Sequence, residues 1–294
     1  MFEPTGEVRP CPRFQEAAPG WNGSSSLGQI LYTPELQKVR AQMLAGESVP
    51  GCRHCQDEEA LGIPSLRTKA FTTPALATTP EVYLTYIEIT VGRVCNLKCR
   101  TCNSYHSTKW EQDELALGIH KEHKTHDWLE NFNFNPEDFA HLRTLKITGG
   151  EPLLSASLPK FLDRLLTTGL AQKIKLQLYT NATIRPSAKL LAQLAGFQEV
   201  HLYLSIDGCG PVNEYLRPPS KWSDIQEVVR HWLDWQAQHS HVGSSLAHTL
   251  SLVNLLSFAE LLAWRKTLQP QPELVLQMVH WPRALSLAAL SLEL

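Results

Sequence analysis

The chain has 294 residues, 43% of them apolar, with 27 basic against 29 acidic side chains and a net charge of −2. That is enough apolar material for one large α/β domain or a domain with an appendage. The near-neutral balance gives no electrostatic signal for nucleic acid or a membrane surface, and no apolar run approaches the roughly 20 residues that span a bilayer.

The N-terminal stretch MFEPTGEVRP has neither the basic nor the apolar region of a secretory signal. Seven cysteines, an odd number grouped at metal-ligand spacings, point to a reducing compartment rather than a disulfide framework. A cytoplasmic location is expected.

Residues 1–80 are rich in Pro, Gly, Ser and Thr and carry one clear helix, at about 34–45. Thr33 is placed to cap it, Pro34 suits its first position, Leu36, Val39 and Met43 share a face, and Gly46 stops it. After Pro80 the pattern changes to strand–helix alternation, so residues 81–294 read as a second unit. Strands are expected at 83–91, 143–148, 174–180, 199–206, 246–254 and 273–280. Ser157 precedes a helix ending near Gly169, and Pro186 begins one ending at Gly196. Ser223 to Gln226 and Ser257 to Glu260 have the form of capping boxes. Ile225, Val228, Val229, Trp232 and Leu233 form an apolar helical face that reads as core. Six strands alternating with helices imply a parallel sheet with right-handed crossovers. The fold class expected is α/β, a partial (β/α)6 TIM-like barrel with a small irregular N-terminal metal-binding region. His120, His123 and His126 fall in a polar stretch that reads as a solvated loop.

The chemistry concentrates in Cys95-Asn-Leu-Lys-Cys99-Arg-Thr-Cys102, three cysteines spaced C-x3-C-x2-C on eight residues. A loop this short can present three thiolates to three irons of a cubane, leaving the fourth iron free for another ligand. The alternative is a zinc knot completed by a histidine such as His106. Reactive residues of parallel α/β barrels gather at the carboxyl ends of strands, and here polar residues stand at such positions repeatedly. They are Gly149-Gly150-Glu151 after the second strand, Thr180-Asn181 after the third, Ser205 to Asp207 after the fourth and Asn254 after the fifth. Gly149 and Gly150 allow close backbone approach. Ser205 and Asp207 alternatively form a strand-end turn.

The three-cysteine loop followed one strand later by Gly-Gly-Glu resembles the signature of the radical S-adenosylmethionine (SAM) superfamily. The resemblance implies a [4Fe–4S] cluster on Cys95, Cys99 and Cys102, with SAM chelated at the open iron. It also implies that the Gly149–Glu151 tract binds the SAM amino group; Ser205 and Asp207, with Thr180 and Asn181 at a similar strand end, offer polar groups suited to the ribose hydroxyls or the sulfonium side of SAM. The implied reaction is reductive cleavage of SAM to a 5′-deoxyadenosyl radical, fed by an external reductant such as flavodoxin or ferredoxin. Where relatives carry an aromatic residue before the third cysteine, this chain has Thr101, so the adenine needs another wall.

Upstream, Gly6 to Cys11 is a G-x4-C element and Cys52-Arg-His-Cys55 a C-x2-C pair. Together they resemble part of the auxiliary iron–sulfur region called SPASM or, in its shorter form, twitch. That resemblance implies a possible second [4Fe–4S] cluster on Cys11, Cys52 and Cys55. A zinc site on the same residues is the alternative, and no cysteine precedes Gly6 to supply a further ligand. Cys209 reads either as a small buried residue or as a group near the site mouth. The expected substrate is a peptide or protein, since relatives with auxiliary clusters often modify peptides and an open barrel admits an extended chain. The runner-up substrate is a sugar or nucleoside derivative. The contrasting class is a non-catalytic Fe–S or zinc protein, which would need no SAM pocket.

Overall fold

In the computed structural model, residues 1–14, 26–71, 83–119, 123, 127–130 and 134–290 are described. Six strands run in chain order through one all-parallel sheet: β1 (Tyr86–Val91), β2 (Thr144–Gly149), β3 (Lys175–Thr180), β4 (Glu199–Ser205), β5 (Val242–Leu250) and β6 (Glu273–Met278). Each pairs with its sequence neighbour, and β1 does not pair with β6, so the barrel is open.

Short helices α1 (Leu27–Leu31), α2 (Pro34–Leu44), α3 (Arg53–Ala60) and α4 (Leu66–Phe71) precede the sheet, and α5 (Glu111–Ala116) follows β1. The crossovers carry α6 (Leu158–Thr167), α7 (Ala188–Leu194), α8 (Gly210–Leu216), α9 (Trp222–Ala237) and α10 (Phe258–Lys266).

Alternation along β3 and β4 explains both faces. Leu176, Leu178, Val200, Leu202 and Leu204 are buried in one apolar cluster with Phe161, Leu162 and Leu165 of α6 and Val229 and Trp232 of α9. Burying each such side chain contributes about 1.5–3 kcal/mol. The residues between them project to the other face, which is polar and aromatic. Tyr179 stacks on Tyr203 at 4.2 Å, Lys146 Nζ stands 4.8 Å from the Tyr179 ring centroid, and Lys146 pairs with Glu88 at 3.0 Å.

The N-terminus completes one edge of the sheet. Phe2 N donates to Glu88 O (2.8 Å) and Thr90 N donates to Phe2 O (2.9 Å). Phe2, Val8, Leu27, Ile30 and Leu36 belong to the barrel's own apolar cluster, whereas Phe14, Val49 and Cys52 form a small separate one. The expected boundary at residue 80 falls outside the described residues.

Several expectations need correction. The fifth strand lies at Val242–Leu250 rather than 246–254: Gly243, Ser244 and Ser245 have weak strand propensity, yet they pair with His201, Leu202 and Tyr203. Neither expected capping box forms. Trp222 N already donates to Glu214 Oε1 at 2.8 Å, so α9 begins before Ser223, and the Ser257 hydroxyl donates to Asn254 O instead of capping α10. Thr33 precedes α2 but makes no cap hydrogen bond. Helix α8, only seven residues long and opening on Gly210-Pro211, is missing from the sequence reading. Of the three histidines, His120 and His126 lie outside the described residues.

Candidate functional site

The cysteine loop leaves β1 through Arg93 and Val94 and is held by backbone and side-chain hydrogen bonds on every side. Lys98 N donates to Pro218 O (2.7 Å) and Arg100 N to Leu216 O (2.8 Å), zipping the loop to the end of α8. Ser107 Oγ donates to Leu97 O (2.8 Å) and Trp110 Nε1 to Cys99 O (3.0 Å). These bonds from the surrounding scaffold hold the loop in shape.

Cys95, Cys99 and Cys102 line one cavity of about 240 Å³. Its other described walls include Thr101, His106, Thr148, Gly149, Gly150, Tyr179, Thr180, Asn181, Ser205 and Arg217. Five of the seven residues expected to bind a cofactor thus meet the three cysteines in one place. Glu151 and Asp207 are not among the residues lining it. The Cys95 sulfur accepts from Leu97 N (3.4 Å) and faces Asn181 Nδ2 at 3.9 Å. Burial pushes the Cys99 thiol up to about 11 and the Cys102 thiol up to about 12, and raises Cys95 as well. Thiols so placed favour the neutral form until a cation takes the proton's place.

The glycine pair does more than line the cavity. A Cβ on Gly150 would stand 2.3 Å from Val94 O and 2.7 Å from Arg93 O. Only glycine lets β2 end this close to the strand leading into Cys95, an approach sealed by Glu151 N donating to Val94 O at 2.8 Å.

Glu151 and Asp207 are committed to the protein itself. Glu151 Oε1 accepts from Leu153 N (3.1 Å) and Thr180 Oγ1 (2.9 Å), and Oε2 accepts from Asn181 N (2.7 Å). Burial raises its carboxyl above the usual range, and these hydrogen bonds pull it back in part. Asp207 Oδ1 accepts from Thr249 N (2.9 Å) and Oδ2 from Arg217 Nη1 (2.8 Å). Asn254 lies four residues beyond β5, where its Nδ2 donates to Asp207 O (2.8 Å) and Thr249 O (2.9 Å). These three residues brace neighbouring strand ends.

Arg217 and Tyr179 are cavity residues that the sequence reading missed, and His106, read there only as a possible zinc ligand, is a third. Tyr179 and His106 offer flat walls where Thr101 does not, and burial keeps His106 below its usual pKa. Arg217 follows α8, a seven-residue helix that the sequence reading did not pick out.

At the N-terminal end, Cys52 and Cys55 are buried and Cys11 half-buried. Cys11 packs against the Phe14, Val49 and Cys52 cluster. Burial first, then the neighbouring Cys11 and Cys55, raise the Cys52 thiol. Among the described residues no three His, Cys, Asp or Glu side chains converge closely enough to hold a single metal ion. Tetrahedral zinc would bring thiolates within about 4 Å of one another. Cys95, Cys99 and Cys102 instead ring a cavity, an arrangement suited to a multi-atom cluster with three soft donors. The residues present fit a cubane.

Residues 89–234 match the family model of the radical SAM superfamily. The chain carries a radical SAM domain. A 7-carboxy-7-deazaguanine synthase from Halobacterium salinarum is 31% identical over 115 residues, 39% of this chain and 37% of the relative. The structure of native anSMEcpe with bound AdoMet covers 67% of this chain and 51% of its own, at 16% identity and TM-score 0.47. Streptococcus suis SuiB covers 67% and 40%, at 15% identity and TM-score 0.45. The chain thus spans well under two thirds of each of these relatives. The radical SAM domain is the setting in which a [4Fe–4S] cluster and SAM work together. No helix among the described residues is long and apolar enough to cross a membrane.

Proposed function

We propose that this chain is a radical SAM enzyme that holds a [4Fe–4S] cluster on Cys95, Cys99 and Cys102 and reductively cleaves SAM beside it. One observation carries the reading: the three thiols share a cavity with Gly149, Gly150, Thr180, Asn181 and Ser205. When bound, the cluster and SAM supply one-electron chemistry that yields a 5′-deoxyadenosyl radical. The protein's own part is positional. Backbone hydrogen bonds from the 216–218 segment hold the cysteine loop rigid, and the Gly149–Gly150 edge keeps the cavity floor free of side chains. The hydroxyls of Thr101, Thr148 and Ser205 with the Asn181 amide offer polar contacts to a ribose or an amino-acid moiety, and the Tyr179 and His106 rings offer walls to an adenine.

For the substrate we propose a peptide or protein segment. The barrel is open between β1 and β6, so an extended chain can reach the polar face from the side. A small heterocyclic substrate is the second reading, favoured by the relative named as a 7-carboxy-7-deazaguanine synthase. Cys11, Cys52 and Cys55 are proposed to hold a second iron–sulfur cluster in a twitch-like region, with a flavodoxin or ferredoxin as electron source and the cytoplasm as the setting. Anaerobic reconstitution followed by a 5′-deoxyadenosine assay tests the core of this reading. Wild-type protein should release 5′-deoxyadenosine from SAM under reduction, and the Cys95/Cys99/Cys102 triple Ala variant should not. Undiminished release from the variant would sink the assignment.

A further inference from the structure

Arg217 is an unusual residue to find at the wall of this cavity. It is 9% exposed, it is the only Lys or Arg among the described lining residues, and it shares the cavity wall with three thiols. The chain places it there deliberately in the geometric sense. Lys98 N and Arg100 N, which flank Cys99, donate to Pro218 O and Leu216 O, which flank Arg217. Cys99 and Arg217 therefore stand opposite each other across two short backbone hydrogen bonds. Asp207 grips the guanidinium through the 2.8 Å bond to Nη1, and is itself fixed by Thr249 N and by Asn213, whose Oδ1 accepts from Asp207 N at 3.0 Å. Arg217 Nε, wholly buried, makes no hydrogen bond within the described structure. A buried guanidinium with a donor to spare, against sulfur ligands, is a cation waiting for negative charge. Of the charges near Cys99, Arg217 is the leading one that opposes the effect of burial on that thiol.

We propose that Arg217 is a positioning residue whose buried charge, anchored by Asp207, offsets the negative charge of the three thiolates and of the cluster they hold, and so makes that cluster easier to reduce. The inference rests on the reading that Cys95, Cys99 and Cys102 hold a [4Fe–4S] cluster. Three thiolates on a cubane of charge +2 give a net charge of about −1 before reduction and about −2 after it, with the extra electron supplied by an external one-electron reductant and no bond made or broken. A nearby fixed cation stabilises the more negative state more strongly, because the interaction scales with the product of charges and is weakly screened in a dry site. The Asp207 carboxylate, paired with Arg217 at 2.8 Å and not itself lining the cavity, acts in the opposite sense.

The test is the midpoint potential of the reconstituted cluster, followed by EPR during dithionite titration, in full-length wild type, Arg217→Gln, Arg217→Lys and Asp207→Asn. Arg217→Gln should shift the reduction equilibrium at least tenfold towards the oxidised cluster, a fall of about 59 mV for one electron. Arg217→Lys should recover at least half of that shift, and Asp207→Asn should move the potential the opposite way. If Arg217→Gln fails to fold, the sign of the Asp207→Asn shift decides the matter: a rise supports the proposal and no change overturns it. A purely structural arginine would move both variants in the same direction or neither, and an unchanged potential in a loaded Arg217→Gln protein overturns the charge role while leaving the cluster assignment intact. If wild type itself takes up no cluster, the cluster reading fails and this inference fails with it.

Discussion

Among single residues, Glu151 is held most firmly by the protein itself. Its motif points to a ligand contact, yet both carboxylate oxygens accept hydrogen bonds from within the chain, two of them from residues at the end of β3. A brace and a ligand residue behave differently when no ligand is present. In Glu151→Gln an amide N–H group must face at least one of three donors. A buried donor left without an acceptor costs about 1–3 kcal/mol, so the metal-free variant should unfold at lower urea than metal-free wild type by about that amount. An unchanged urea midpoint would return Glu151 to a pure ligand role. Gly150 carries the same message by another route. Its missing side chain was legible as a site for close approach, but the group that approaches is the backbone of Arg93 and Val94.

At the element scale, α8 and the start of α9 matter most, because they carry Asn213, Arg217 and the backbone that grips the cysteine loop. The first turn of α9 is capped at a distance, by Glu214 of α8 through Trp222 N, and not by Ser223. Losing a cap of this kind costs about 1 kcal/mol, whereas an exposed residue inside the helix changes stability by less than about 0.5 kcal/mol. Glu214→Ala should therefore lower the denaturation midpoint clearly and Ser223→Ala hardly at all. Equal effects in paired urea titrations would restore the local capping box. The displaced fifth strand has a related cause. Strand pairing with β4 recruits Gly243, Ser244 and Ser245, whose local propensities favour a turn.

At the scale of the whole molecule, burial of titratable groups sets a pH window for the metal-free protein. His106, His201 and His248 are all held below the ordinary histidine value by burial. A depressed base contributes stability above its unfolded pKa, near 6.5, and loses it as pH falls through the lower folded value. The thiols run the other way. Cys99, raised to about 11, and Cys102, raised to about 12, contribute stability fully below their unfolded value of 9.0 and lose it as pH rises through those folded values. Urea midpoints of the metal-free chain should peak between about pH 6.5 and 9 and fall on both sides. The alkaline loss should shrink in a variant with Cys99 and Cys102 replaced by Ala; an alkaline limb that survives in that variant would assign it to other groups.

The sequence by itself determined what depends on near neighbours. Alternating apolar strands and amphipathic helices predicted five of the strands within about three residues at either end, and a parallel, unclosed sheet follows from that alternation. The C-x3-C-x2-C spacing defined the cysteine site because all of its sulfur donors lie within eight residues. Only the tertiary structure decided which polar side chains turn toward that site. Glu151 is bound to Asn181, Asp207 to Thr249, and the Arg217 segment to the backbone on either side of Cys99. Each of those partners is 30 or more residues away in sequence. No local pattern encodes such pairings: a strand-end carboxylate has the same appearance in a sequence whether it meets a ligand, a backbone N–H or a buried arginine. The choice is made when the sheet sets the strand ends side by side and every buried polar group must find a partner there.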